Sequence, residues 1–111
     1  MRRMLMVMAA GVFVAGLAQP VSAQDAKAKG EKLFADNKCS LCHSVAGKGN
    51  AKNPLDGMGA KLKADDIRLW LTDPRTAEAK LPEKPKLPMK SFKTLPPADI
   101  DALVAYVQSL K

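Results

Sequence analysis

The sequence predicts an all-α domain, and three observations lead there. Apolar residues recur at helical spacing in three separate stretches. No stretch alternates apolar and polar residues as a half-buried strand does. The long connections between the helical stretches are punctuated by glycine and proline.

The chain opens with Met1-Arg2-Arg3 and an apolar run from Met4 to about Ala18. Val21-Ser22-Ala23 then has the small-x-small form of a signal-peptidase site, with cleavage expected after Ala23. The run is shorter than the roughly 20 residues that span a bilayer, so an uncleaved anchor is the weaker reading. This divides the chain into a signal peptide, residues 1–23, and one domain, residues 24–111, exported to the periplasm. Arg2 and Arg3 leave with the leader, yet the domain stays basic, since the whole chain carries a formal +7. A domain this small buries a modest core and needs a staple of some kind.

The first helix is expected over residues 25–36, where Ala26, Gly30, Leu33 and Phe34 share a face. Gly30 costs a helix about 1 kcal/mol against alanine. Its place on the apolar face suggests that another element crosses closely there. Residues 44–63 read as loop, with Gly47, Gly49, Gly57 and Gly59 around Pro54. A loop of that length is usually functional or wrapped around something. A second helix is expected over 64–73. Asp65 and Asp66 favour the dipole of its first turn, Ile67, Trp70 and Leu71 form its inward stripe, and Pro74 stops it. Residues 74–96 hold five prolines and read as extended and irregular. Residues 97–110 give the clearest helix. Pro97 suits its first turn, and Ile100, Leu103, Val104, Val107 and Leu110 line one face.

Both cysteines and the only histidine fall within Cys39–His43. A structural disulfide explains this poorly, because a loop closed over two residues restricts the unfolded chain very little. Cys-x-x-Cys-His signals covalent haem attachment. Thiols three apart on a helical turn lie on one side and can form thioethers with two vinyl groups of the macrocycle. The adjacent imidazole then serves as axial ligand. A zinc site would want a fourth Cys or His that the chain lacks, leaving only a carboxylate for that place. A thioredoxin-like dithiol normally follows a strand, and none is expected. A haem would also enlarge the small core and give the long loops something to wrap.

On these residues the chain resembles a class I c-type cytochrome over the whole mature sequence. The resemblance is carried by "GEKLFADNKCSLCH", "NPLDG", "LPMKSF" and "LVAYVQSL" in that order. It implies a fold in which the N- and C-terminal helices cross, with long loops around one covalently bound haem c. Gly30, Phe34 and Tyr106 match the positions of that crossing. Pro54 resembles the loop proline whose carbonyl receives the imidazole N–H, and Trp70 a residue packing near the haem or bonding a propionate.

With His43 as the only histidine, bis-histidine ligation within the chain is excluded. Met58 and Met89 are the methionines beyond the leader. Met89 stands in the proline-rich segment with Phe92 in a Met-x-x-Phe arrangement similar to the family's, although Lys90 replaces the proline common after that methionine. Met89 is the expected sixth ligand. Met58 is expected to pack at the haem edge or face solvent, and Lys86 or Lys90, or an open site, are the other options. A His/Met pair raises the reduction potential and fills both axial positions, which suits electron transfer.

The resemblance therefore implies a monomeric one-electron carrier rather than an enzyme. Lys38, Lys48, Lys84, Lys86, Lys90 and Lys93 would ring the exposed haem edge and steer it to redox partners with acidic docking surfaces, or they are ordinary solvated lysines. Nucleic acid is not expected, because no binding motif is present and aromatics are few; a membrane is met only through partner complexes. The competing readings are a haem sensor or peroxidase-like enzyme with a displaceable sixth ligand, and a fixed subunit of a larger redox complex.

Overall fold

The computed structural model describes Gly11 and residues 23–111. The expected signal peptide thus lies outside the described residues apart from Gly11 and Ala23. Helix α1 runs Ala23–Asp36 and helix α5 runs Pro97–Gln108. The two cross with their apolar stripes facing. Gly30 is buried at the crossing, where a Cβ would run into the Ala102 carbonyl oxygen and lie 2.6 Å from Tyr106 Cβ. The close approach foreseen at Gly30 is the α1/α5 contact itself. One helical turn on, Phe34 and Tyr106 meet edge to face with centroids 5.5 Å apart, worth about 0.5–1.5 kcal/mol beyond the area buried. Lys29 Nζ lies 3.0 Å from Asp99 at the other end of the contact.

Leu103, at 1 % exposure, is the centre of the core, with Ile100, Val104 and Val107 around it. Helix α3, Ala64–Thr72, adds Ile67 and Leu71 to the same cluster. Its start is fixed by Asp66, whose carboxylate accepts the Lys63 N–H at 3.2 Å. Arg68 reaches Asp101 of α5 at 2.7 Å, an exposed pair worth at most about 1 kcal/mol.

Two stretches expected to be irregular carry short elements. Ser44–Val45 (β1) pairs antiparallel with Lys48–Gly49 (β2), Ser44 opposite Gly49. Helix α2, Met58–Lys61, then lies against the C-terminal end of the chain. There Gly59 donates its N–H to the Leu110 carbonyl at 2.8 Å, with the Gln108 carbonyl where a Cβ would stand. The other correction is at Pro74, which stops α3 but also starts α4, Pro74–Glu78. Proline lacks only an N–H that the first turn of a helix leaves unused. Asp73 caps that turn, its carboxylate accepting the Thr76 N–H at 3.3 Å and the Thr76 hydroxyl at 2.6 Å. Beyond α4 the chain is irregular to Pro96, as expected.

Candidate functional site

Cys39–Leu41 form a single 3-10 turn, entered through Lys38 in the left-handed region at φ 57°. The Cys39 carbonyl accepts the N–H groups of Cys42 at 3.1 Å and His43 at 2.9 Å, so the five-residue motif is wound on itself. Both thiols are free, Cys39 half-buried and Cys42 exposed. Burial pushes the Cys39 thiol above its ordinary range. A backbone hydrogen bond opposes that shift, and the neighbouring Cys42 adds a smaller upward push.

The glycine-rich loop that follows folds back onto the motif. Asn50 donates its backbone N–H to the carbonyls of Ser40 at 3.0 Å and His43 at 3.2 Å, and its side-chain amide to Leu41 at 3.1 Å. Gly49 sits at φ 105° against the His43 carbonyl. The Asn53 carbonyl takes two donors, the Ser44 N–H at 3.3 Å and the His43 ring at Nδ1, 3.1 Å away. A carbonyl can only accept, so Nδ1 is the donor in this contact, which leaves Nε2 as the ring nitrogen that could ligate a metal. The resemblance gave this bond to the Pro54 carbonyl. In the structure it belongs to Asn53, one residue earlier: the Ser44 N–H on the Asn53 carbonyl and the Leu55 N–H on the Ser44 carbonyl set Pro54 opposite Ser44 and turn the Asn53 carbonyl towards the ring.

Met89 is half-buried and packs on the edge of the same apolar cluster as Cys39, Val45, Leu55, Met58 and Phe92. The core thus brings the motif and both candidate methionines to its rim. Met89 also lines a cleft of about 520 Å³ with Thr72, Pro74, Ser91 and the cations Arg75, Lys90 and Lys93. Its segment is tied to α3 by the Phe92 N–H on the Leu71 carbonyl at 2.7 Å and by the Ser91 hydroxyl on the Thr72 carbonyl at 3.0 Å. Trp70 is half-buried beside a smaller cavity of about 120 Å³ lined by Leu62, Leu69 and Leu81. Lys38, Lys48, Lys84, Lys86, Lys90 and Lys93 are all exposed. Lys90 Nζ lies 5.9 Å from the centre of the Phe92 ring, within cation–π range.

Sequence reasoning missed Asn50, Asn53, Asp73 and Glu78. Only Asp73 had a readable signal, the helix-capping pattern Asp-Pro-x-Thr. The two asparagines act through loop geometry. Glu78 is an acid buried to 6 % exposure that accepts the Met89 N–H, eleven residues away, and no local pattern announces that.

The donor set suits a tethered tetrapyrrole: two free thiols three residues apart, an imidazole with one nitrogen engaged and one free, and a thioether on the rim of the same core. Together with the helix crossing this defines the class of small all-α domains that carry a covalent redox cofactor. The Cytochrome c family model matches residues 27–111, and the chain belongs to that family. Membership brings a covalently bound haem c with its iron, and haem-based electron transfer as the general function. The chain is also similar to cytochrome c oxidase subunit 2 of Alkalihalophilus pseudofirmus, 29 % identical over 92 residues, which is 75 % of this chain and 25 % of the relative. The chain therefore spans about a quarter of that relative's length. No solved structure matches the chain significantly.

Proposed function

We propose that residues 24–111 form a monohaem one-electron carrier, exported by a signal peptide over residues 1–23, that passes electrons between periplasmic redox complexes. Cys39 and Cys42 would hold the haem through thioethers, His43 would ligate its iron through Nε2, and Met89 would supply the sixth ligand. When bound, that group supplies reversible one-electron redox chemistry. The chain's own residues do the rest. Asn53 orients the imidazole by accepting the hydrogen bond from its Nδ1. The Met89 thioether is a soft donor, and a second protein ligand leaves no position for a substrate. Trp70 and the Asn53–Pro54 segment would pack against the group. The exposed lysines around the motif and around Met89 favour partners with acidic docking surfaces.

The observation that carries this reading is the free Nε2 of His43, fixed by the Nδ1–Asn53 contact directly beside two unpaired thiols. The test is the far-red iron–methionine charge-transfer band of the oxidised protein. Met89→Ala should abolish it and admit carbon monoxide to the reduced protein, while Met58→Ala should leave both as in the wild type. Loss of the band in the Met58 variant alone would reassign the ligand. Ready carbon monoxide binding by the wild type would favour the sensor or peroxidase-like reading.

One observation favours a second reading. The relative from Alkalihalophilus pseudofirmus is by name a subunit of an oxidase, so this domain would work as a fixed wire inside a larger complex. Native material eluting from gel filtration at the mass of the isolated domain argues for the free carrier. Elution with a complex argues for the subunit.

A further inference from the structure

Glu78 is the buried acid that nothing above employs. It ends α4, whose direction is set by the Asp73–Thr76 cap and whose last turn continues through the Ala79 N–H on the Arg75 carbonyl at 3.1 Å. A carboxyl group at 6 % exposure is costly to bury without a partner. Its Oε1 accepts the backbone N–H of Met89 at 3.2 Å. Between these two residues, every position from 79 to 88 is exposed, Leu87 as much as 81 %. Met89 is the first residue after this run to return to the protein surface as a half-buried side chain. The Glu78–Met89 bond therefore closes the neck of an exposed ten-residue loop. The two ties on Ser91 and Phe92 act beyond Met89 and leave its own N–H to Glu78.

We propose that Glu78 is a positioning residue for the sixth haem ligand, fastening the Met89 backbone so that excursions of the 79–88 loop do not reach the thioether. The proposal rests on Met89 being that ligand. Glu78 itself touches no iron; it acts through the main chain of Met89. The carboxyl oxygen is needed as an acceptor, so glutamine, whose side-chain carbonyl sits in the same place, should replace it and alanine should not.

The experiment compares the haem-loaded wild type, Glu78→Ala and Glu78→Gln by the far-red band, by carbon monoxide binding to the reduced form, and by hydrogen exchange at the Met89 amide. Glu78→Ala should weaken the band, admit carbon monoxide and speed Met89 exchange by about tenfold, the effect of losing one hydrogen bond. Glu78→Gln should restore all three towards wild type. A wild-type band and wild-type Met89 protection in Glu78→Ala would overturn the proposal while leaving Met89 as ligand. So would a Glu78→Gln protein that behaves like Glu78→Ala. Absence of the band from the wild type would instead remove the ligand reading, and the proposal with it. If Glu78→Ala does not fold, the wild type and Glu78→Gln still decide. Met89 exchange as fast as that of the 79–88 amides in either protein overturns the clamp, and slow exchange with an intact band in both sustains it.

Discussion

The His43 side and the Met89 side of the site are built in opposite ways. The His43 side is local: the motif winds on the Cys39 carbonyl, and a loop ending ten residues later returns to bind it through Asn50 and Asn53. The Met89 side is assembled from three places, with Leu71 and Thr72 at the end of α3, Glu78 at the end of α4, and the segment Met89–Phe92 itself. The first arrangement is tied by several backbone hydrogen bonds made within a short stretch of chain. The second leaves a ten-residue exposed run between its anchors. The proposed His43 ligand and the proposed Met89 ligand are thus held by different means.

The sharpest way to break this comparison is at Gly49. Its φ of 105° and the His43 carbonyl standing in the place of a Cβ leave no room for a side chain. Gly49→Ala should cost about 3 kcal/mol or more, through backbone strain and displacement of a packed carbonyl. Denaturant unfolding of the haem-loaded protein checks this, and a wild-type midpoint would mean that the His43 side is not tightly built.

A smaller effect is expected at Asp73, which anchors the Met89 side through α4. Hydrogen bonds from the Thr76 hydroxyl, and then from its N–H, hold the Asp73 carboxyl below the usual carboxylate range. A lowered folded pKa contributes stability that is present above the unfolded value and lost as pH falls through the folded one. The wild type should therefore melt above Asp73→Ala at neutral pH. The gap should close as pH drops below the ordinary carboxylate range. A gap that persists unchanged in acid would show that the ionised cap is not its source.

The smallest effect is expected at Leu87, exposed on the loop between the anchors. Leu87→Ser should change stability by no more than about 0.5 kcal/mol and leave the far-red band as it is. A lost band there would mean that the loop and Met89 move together.

The same asymmetry decides what could be read from the sequence. Cys39, Cys42 and His43 announce themselves because their chemistry depends on spacing along the chain. The α1/α5 crossing was legible because a glycine on an apolar helix face, like Gly30, marks where a neighbouring backbone comes close. Helix α5 was legible because its stripe is long. The elements that escaped are short or depend on distant partners. Helix α4 hides behind a proline that both ends one helix and begins another. Helix α2 needs the chain end that Gly59 packs against. The choice of Asn53 over Pro54 as imidazole partner is a matter of one peptide plane, fixed only when Ser44 bridges to Pro54. The hydrogen bond of Glu78 exists only once residue 89 has returned to it.

The doubly used carbonyl of Asn53 has a consequence of its own. It serves the Ser44 amide and the His43 ring at once, so the turn that carries it cannot breathe without disturbing the imidazole. The chemical shift of the ring's Nδ1 proton becomes a gauge mounted inside the fold. It registers each opening of residues 50–55 as a change in the hydrogen bonding of a single ring.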